Sequence, residues 1–250
     1  MADTEQQLAL TEQHRQAQLQ IRAQALHDFA TIWPIWKGDE QSFAEFISAA
    51  DTLIRAYRQI SAAAAVAYYQ AFRQAAEANG VAAPELITAL PPAQVATSLY
   101  VTGRDGLRTA LRAGQDPEQA RATTFVRTSG AVTRYVLDAG RQTLIDAVQK
   151  DQAALGWARI TDGNPCYFCL TLASRGAVYK TEESASFEAH DHCACTVMPV
   201  FKGTVIPNLQ RWKSIYDTAQ NEGEASGLLQ PGENSSAARL RAVRHHLANA

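Results

Sequence analysis

The stretch at residues 156–200 reads GWARITDGNPCYFCLTLASRGAVYKTEESASFEAHDHCACTVMPV. It holds all four cysteines of the chain, as PCYFC at 165–169 and HDHCAC at 190–195, and 23 residues separate Cys169 from Cys193. Two intervening residues let the backbone curl around an ion, and residues two apart on a strand face the same side. Both cysteine pairs can therefore direct two thiolates at one metal, and the stretch predicts a small metal-stapled module.

The predicted ligands are cysteines and histidines, because structural zinc takes four such side chains in a tetrahedron. The pattern predicts one structural zinc per chain, with its ligands drawn from Cys166, Cys169, His190, Cys193 and Cys195. His192 is an extra histidine beside this pattern. The spacing does not choose four ligands from this set, and we assign no catalytic or cofactor-binding residue.

Other chemistries of the same cysteines stay open. A redox pair of the thioredoxin type lies in a βαβ unit, which the surrounding sequence does not predict. Disulfides would form in an oxidising setting such as a released virus particle. Cys193 or Cys195 beside a histidine is a possible nucleophile.

A catalytic zinc is a further alternative, because such a site keeps a position for water and pairs with a carboxylate base. Acidic residues near the cysteines are Glu182, Glu183, Glu188 and Asp191. We interpret these acids as a solvated loop.

Upstream of the cysteines, residues 4–155 show helical periodicity. Apolar residues from Phe43 to Ile60 recur at steps of three and four, which predicts one buried helix face. An earlier helix over Thr4–Phe29 carries His14, which we expect at the surface or at the edge of the core.

A later helix begins at Asp116-Pro117-Glu118, where Asp caps free N–H groups and Pro suits the first turn. Gly130 and Gly140 interrupt its apolar stripe and predict a bend or two shorter helices. Residues 83–115 read as short helices broken by proline and glycine.

Around the cysteines, Val- and Tyr-rich segments predict short strands at Trp157–Ile160, Gly176–Lys180 and Thr196–Val200. The predicted fold class is α+β, with a mainly helical N-terminal region followed by a zinc-stapled module of short antiparallel strands. The predicted domains are a helical assembly region at 1–150, a Cys/His zinc-binding module at 151–220, and a flexible linker with a basic C-terminal end at 221–250.

The composition is that of an ordinary soluble globular protein, with 250 residues, a hydrophobic fraction of 46% and a net charge of -2. The sequence has no excess of basic residues, so it does not indicate nucleic acid as the main partner. No run approaches the roughly 20 apolar residues of a membrane span, and the polar N-terminus lacks the apolar core of a secretion signal. We therefore expect a protein made in a reducing cytoplasm, without a membrane partner.

The runs GWARITDGNPCYFCLTLASRGAVY and HDHCACTVMPVF resemble the C-terminal core of MuF-like minor head proteins of tailed bacteriophages, especially those of actinobacterial hosts. The resemblance covers about residues 141–202. The positions that match the family pattern are Arg159, Cys166, Cys169, Gly176, His190, Cys193 and Cys195, followed by the strand at 196–200.

This resemblance implies a minor capsid protein that assembles in the host cytoplasm and is packaged in the virion, at the portal or the head interior. It implies the portal protein and a scaffold or major capsid protein as partners, and the basic C-terminal end is a weak candidate for contact with packaged DNA. Some relatives are labelled capsid maturation proteases, which is the alternative function. The sequence shows no Ser–His–Asp or Ser–Lys motif, so we expect a structural, non-enzymatic protein.

Overall fold

The computed structural model describes residues 3–161, 163, 165–179, 187, 189–230, 233 and 235–249. The α-helices in these residues are α1 (Thr4–Ile32), α2 (Glu40–Ala75), α3 (Pro92–Leu99), α4 (Gly106–Arg112), α5 (Pro117–Lys150), α6 (Tyr167–Ala173), α7 (Leu209–Ala225) and α8 (Ser236–Asn249). The strands are β1 (Gly156–Ile160), β2 (Ala177–Tyr179) and β3 (Thr196–Val200). The predicted α+β class is confirmed.

Helices α1, α2 and α5 form a bundle, and each begins at an aspartate. Asp3, Asp39 and Asp116 accept hydrogen bonds from backbone N–H groups of the first turn that follows, which satisfies donors that a helix start leaves free. Contacts such as Thr11 to Tyr68 show that α1 and α2 run in opposite directions. Helices α2 and α5 run in the same direction, because Arg58 meets Tyr135 and Tyr69 meets Ala147.

The strands form one antiparallel sheet in the order β2-β1-β3. Trp157 of β1 pairs with Val178 on one side and with Pro199 on the other. Every residue of β1 and β3 is buried, since α5 packs against β3 and α6 packs against β1. The three predicted strands are therefore confirmed, with small differences at their ends.

The bundle contains two hydrophobic cores at its two ends. One, which we call the aromatic core, is centred on Phe29, Trp36, Phe43 and Phe46. The other, which we call the sheet core, is where α2 and α5 meet the strands, and it includes Tyr69, Phe72, Leu144, Val148, Trp157, Cys169, Cys193, Cys195, Val197 and Met198. Because residues on both sides of position 150 share the sheet core, the helical region packs directly on the cysteine module.

A polar belt separates the two cores. Ser61 donates its hydroxyl to Gln18 Oε1 at 2.7 Å, and the backbone N–H of Gly140 donates to Ser61 Oγ at 3.2 Å. Arg58 lies beside them and is 2% exposed. A side chain at Gly140 would meet Ser61 Oγ at 2.7 Å, so glycine allows the two helices to approach here.

The side of α1 that faces the bundle is largely polar. Its buried residues are Gln7, Thr11, His14, Gln18, Ala25 and Phe29. The expectation that His14 lies at the surface or core edge is wrong, because the ring is 4% exposed. It stacks on Tyr68 at 4.4 Å between centroids, and its Nε2 lies 3.1 Å from Thr196 Oγ1 on β3.

Helix α5 is one continuous α-helix and not two shorter helices, which was one of the two expectations. A Cβ at Gly130 would come within 2.6 Å of His192 Nε2. The loop before β3 approaches α5 so closely here that only glycine fits without a shift. Tertiary packing keeps the helix intact despite the low helix propensity of glycine.

The C-terminal part differs from the expected flexible linker. Helix α7 continues to Ala225, and a second helix, α8, occupies most of the predicted basic end. Gly223 packs against Leu229, with 3.0 Å between its Cβ position and Leu229 Cδ1, and Leu229, Ala238 and Ala242 form a small core. Among the described residues, no helix combines the length and hydropathy needed to cross a membrane.

Candidate metal centre

The five predicted ligand residues lie together where α6, β1 and the segment before β3 meet. Cys166 is the N-cap residue of α6, and Cys169 lies in the first turn of that helix. Potential ligand atoms form two groups, Cys166–Cys169–His190 and Cys169–Cys193–Cys195, and within each group all atoms lie within 4.8 Å of one another. Cys169 belongs to both groups and therefore lies at the centre of the cluster.

The distances around Cys169 suit a shared metal ion. Its Sγ lies 3.6 Å from Cys193 Sγ and 3.6 Å from His190 Nε2. Two thiolates on one tetrahedral zinc lie about 3.8 Å apart, and a thiolate and an imidazole nitrogen lie about 3.6 Å apart. The Cys166 Sγ to His190 Nε2 distance of 2.9 Å is shorter than either value and fits a hydrogen bond.

The orientation of His190 leaves the right nitrogen for a ligand. Its Nδ1 lies 2.7 Å from the carbonyl oxygen of Asp191. A carbonyl only accepts, so Nδ1 carries the proton and the lone pair of Nε2 faces the thiols. A backbone partner of this kind commonly orients a metal-binding histidine.

His192 is outside the cluster. Its φ of 65° places it in the left-handed region, and its backbone N–H donates to the carbonyl oxygen of Gly130 on α5. The exposed His192 side chain therefore lies over α5, while His190 faces the cysteines. Sequence spacing could not make this choice, since both histidines are within three residues of Cys193.

Mutual hydrogen bonds change the acidity of the thiols. The hydrogen bond with Cys169 lowers the pKa of Cys166 to about 5 and holds the pKa of Cys193 far below its ordinary value. The pKa of Cys169 itself is raised, first by its contact with Cys166 and then by its contacts with the other thiols. These contacts shift the pKa values of neighbouring thiols in opposite directions, and the thiolate is the form that binds metal.

Cys195 and His190 are tuned by opposing effects. A hydrogen bond with Cys169 lowers the pKa of Cys195, but the bond with Cys193 and burial outweigh it and raise that pKa to about 12. Burial opposes a charged imidazole at His190, yet the backbone of Asp191 and the Cys166 thiolate raise its pKa.

Two buried arginines surround the cysteines, and the ligand pattern did not predict their role. Arg141 on α5 donates to the carbonyl oxygens of Cys195 and Cys193, while Arg159 Nη1 lies 3.8 Å from Cys169 Sγ. Both guanidinium groups approach the ring of Phe187, at 4.9 Å and 3.7 Å from its centroid.

The alternative chemistries are constrained by the same geometry. All four cysteines are free thiols, and the C-x-x-C lies beside an antiparallel sheet rather than in a βαβ unit. Cys193 and Cys195 are 2% and 3% exposed, which leaves a nucleophile there without access to a substrate. Asp191 forms an ion pair with Arg134 at 2.9 Å. The other candidate carboxylate bases, Glu182, Glu183 and Glu188, lie outside the described residues.

The outer side of the cluster opens to solvent. A cleft of about 480 Å³ is lined by Cys166, Tyr167, Phe168, Ala189, His190 and Leu240. His190 is exposed and Cys166 is partly buried, whereas the other cysteines are fully buried. The cluster therefore has a buried thiol side and an accessible Cys166–His190 side.

A family model described as VG15 protein matches residues 5–219. The chain belongs to this family. VG15 proteins are phage proteins, and the match spans both the helical bundle and the cysteine cluster. No curated protein and no solved structure matches the chain. The predicted phage origin is thus confirmed.

Proposed function

We propose that this VG15 protein is a structural minor capsid protein of a tailed phage, of the MuF-like minor head type, stapled by one structural zinc. The family match supports a phage protein, and the resemblance of the cysteine segment supports the finer assignment. The observation that carries the structural role is the position of Cys169, Cys193 and Cys195 within the sheet core. A metal there stabilises the packing between the strands and α2 and α5.

The donor set fits zinc, which prefers thiolate and imidazole ligands in a tetrahedron. We infer that Cys169, Cys193 and Cys195 supply three ligands, because they form one buried group of potential ligand atoms. The fourth ligand comes from the Cys166–His190 pair. The member of that pair that is not bound hydrogen-bonds its neighbour across the 2.9 Å contact.

We further propose that the protein assembles in the host cytoplasm, enters the head, and contacts the portal, scaffold or major capsid protein. The charges of α8 favour protein partners over packaged DNA. Arg241 forms an ion pair with Glu233 at 3.3 Å, and His246 lies 2.7 Å from Glu222. Part of the basic end is therefore already neutralised within the chain. The division into domains at residues 150 and 220 remains a proposal.

The test is assembly of phage heads with the wild-type chain, with Cys169→Ser and, as a matched control, with His245→Ser. His245 is an exposed residue of α8. We expect wild-type and control proteins in purified heads with one zinc per copy, and loss of both protein and zinc for Cys169→Ser. A chain that is absent from heads contradicts the capsid role, and heads that contain the chain without zinc contradict the metal site.

One observation favours the second candidate, a capsid maturation protease. Cys166 and His190 form a thiol–imidazole pair on an open cleft, and the Asp191 carbonyl orients the ring. A nucleophile, a base and an orienting group are the parts of such a catalytic centre. In that case the thiols of Cys169, Cys193 and Cys195 would take no part in catalysis.

Mass spectrometry of the capsid protein after co-assembly separates these functions. Specific cleavage that Cys166→Ser abolishes, with an unchanged structure of the chain, would establish the protease. Intact capsid protein, together with protection of Cys169, Cys193 and Cys195 from iodoacetamide only in the zinc-loaded chain, would establish the structural role.

A further inference from the structure

Arg141 is a buried side chain that joins the helical bundle to the cysteine segment. It is 1% exposed and lies on α5. Its Nε donates to the carbonyl oxygen of Cys195 at 2.9 Å, and its Nη2 donates to that of Cys193 at 2.6 Å. The planar guanidinium thus holds both ends of the C-x-C segment with one rigid group.

The carbonyl oxygens leave part of Arg141 uncompensated. Its Nη1 is buried and has no hydrogen-bond partner, and in the described part of the chain Arg141 makes no ion pair. Arg58 provides the comparison, since its Nε, Nη1 and Nη2 each donate to a backbone carbonyl. A buried cation is costly unless a charge or a full set of hydrogen bonds compensates it.

Cys193 and Cys195 are the two residues whose carbonyl oxygens accept hydrogen bonds from the guanidinium group of Arg141. Their thiols become thiolates when they bind a metal. Zinc bound by three thiolates and an imidazole is a monoanion, and zinc bound by four thiolates is a dianion. Either ligand set supplies the anion that the buried guanidinium lacks.

We propose that Arg141 is a positioning residue of the metal centre, whose charge neutralises a thiolate-rich site while its fork fixes the C-x-C segment. This inference rests on the zinc site proposed above. It requires both Cys193 and Cys195 as ligands. It also explains why a residue of the helical bundle, distant in sequence from the cysteines, lies within their cluster.

The test is titration of the full chain with Co²⁺, followed by the visible and near-ultraviolet absorption of cobalt–thiolate bonds. The variants are Arg141→Met, which removes the charge, Arg141→Lys, which keeps it, and Arg58→Met as the matched control. We expect Arg141→Met to weaken Co²⁺ binding by about 10- to 100-fold, the usual effect of losing a group that supports metal ligands. Arg141→Lys should regain most of this loss, and Arg58→Met should bind Co²⁺ like the wild type.

Each outcome bears on the inference separately from the zinc site. A wild-type chain without cobalt–thiolate absorption overturns the zinc site itself. Normal absorption in the wild type with equal affinity in Arg141→Met overturns only the role of Arg141. Equal losses of Co²⁺ affinity in Arg141→Lys and Arg141→Met overturn the charge effect. If Arg141→Met folds poorly, Arg141→Lys still shows whether the charge alone sustains binding.

Discussion

The aromatic core and the sheet core use the same long helices but are stabilised differently. In the aromatic core, Phe29 and Phe46 lie 5.7 Å apart and Trp33 meets Phe46 edge-on at 5.4 Å, so apolar burial and ring contacts suffice. The sheet core contains three cysteines beside two buried arginines. Ionisable groups in a core need partners. We therefore expect a metal to control the stability of the sheet core but not that of the aromatic core.

The two cores differ because the secondary-structure elements that build them differ in length. The strands span five, three and five residues, so the sheet cannot bury a large core on its own. It depends on α2 and α5 on one side and on the cysteine cluster on the other. The aromatic core is built from residues of α1, α2, α3 and α5, and the polar belt separates it from the sheet.

Removal of zinc with a chelator should produce the largest difference in stability between the two cores. Zinc binding to a structural site contributes on the order of 10 kcal/mol to folding, so its loss should expose the strands while the aromatic core persists. Hydrogen exchange followed by mass spectrometry should show fast exchange in β1 and β3 and continued protection around Ala50 and Ile54 of α2. Equal loss of protection in both cores would contradict a separate role for the metal.

Phe46→Ala should produce the next largest effect. Phe46 is 0% exposed, and truncation of a buried Phe costs about 3–5 kcal/mol. Chemical denaturation should show this loss without a change in zinc affinity. The matched variant is Phe201→Ala in the sheet core, where the ring stacks on Phe72, and it should lower both stability and zinc affinity. Unchanged zinc affinity in both variants would argue against coupling of the sheet core to the metal.

His14 should give the smallest effect at neutral pH, and the effect should change as the pH falls. Burial lowers its pKa from 6.5 to about 3 in the folded chain, so the unfolded chain binds the proton more tightly. The stability contributed by neutral His14 is therefore complete above the unfolded pKa and is lost as the pH falls from 6.5 toward 3, by about 1.4 kcal/mol per pH unit.

The measurement is the difference in unfolding free energy between the wild type and His14→Gln, because acid also releases zinc from both proteins. Glutamine keeps a hydrogen-bonding group for Thr196 but cannot titrate. The difference should change steadily across this pH range, whereas exposed His245→Gln should track the wild type. A pH-independent difference would show that His14 is charged or accessible in the folded chain.

Local sequence patterns predict most of the helices and strands and the residue types of the candidate ligands. Short-range patterns suffice for these features, since strand residues such as Val197 and Val200 favour β structure, and Asp116-Pro117 begins a helix. The spacing of Cys166 with Cys169, and of Cys193 with Cys195, likewise predicts pairs of ligands before any fold is known. The predicted metal cluster is brought together by the structure, while the identity of the ion remains a prediction.

The long-range partners of these residues depend on how the helices and strands pack. His14 is buried because α1 places it between Tyr68 and Thr196. An apolar pattern in the sequence cannot predict a buried stripe of polar residues that form hydrogen bonds within the protein. His190 rather than His192 faces the thiols because the loop packs on Gly130. Arg141 joins the cluster because α5 crosses β3, and contacts across more than fifty residues depend on packing geometry that local sequence does not encode.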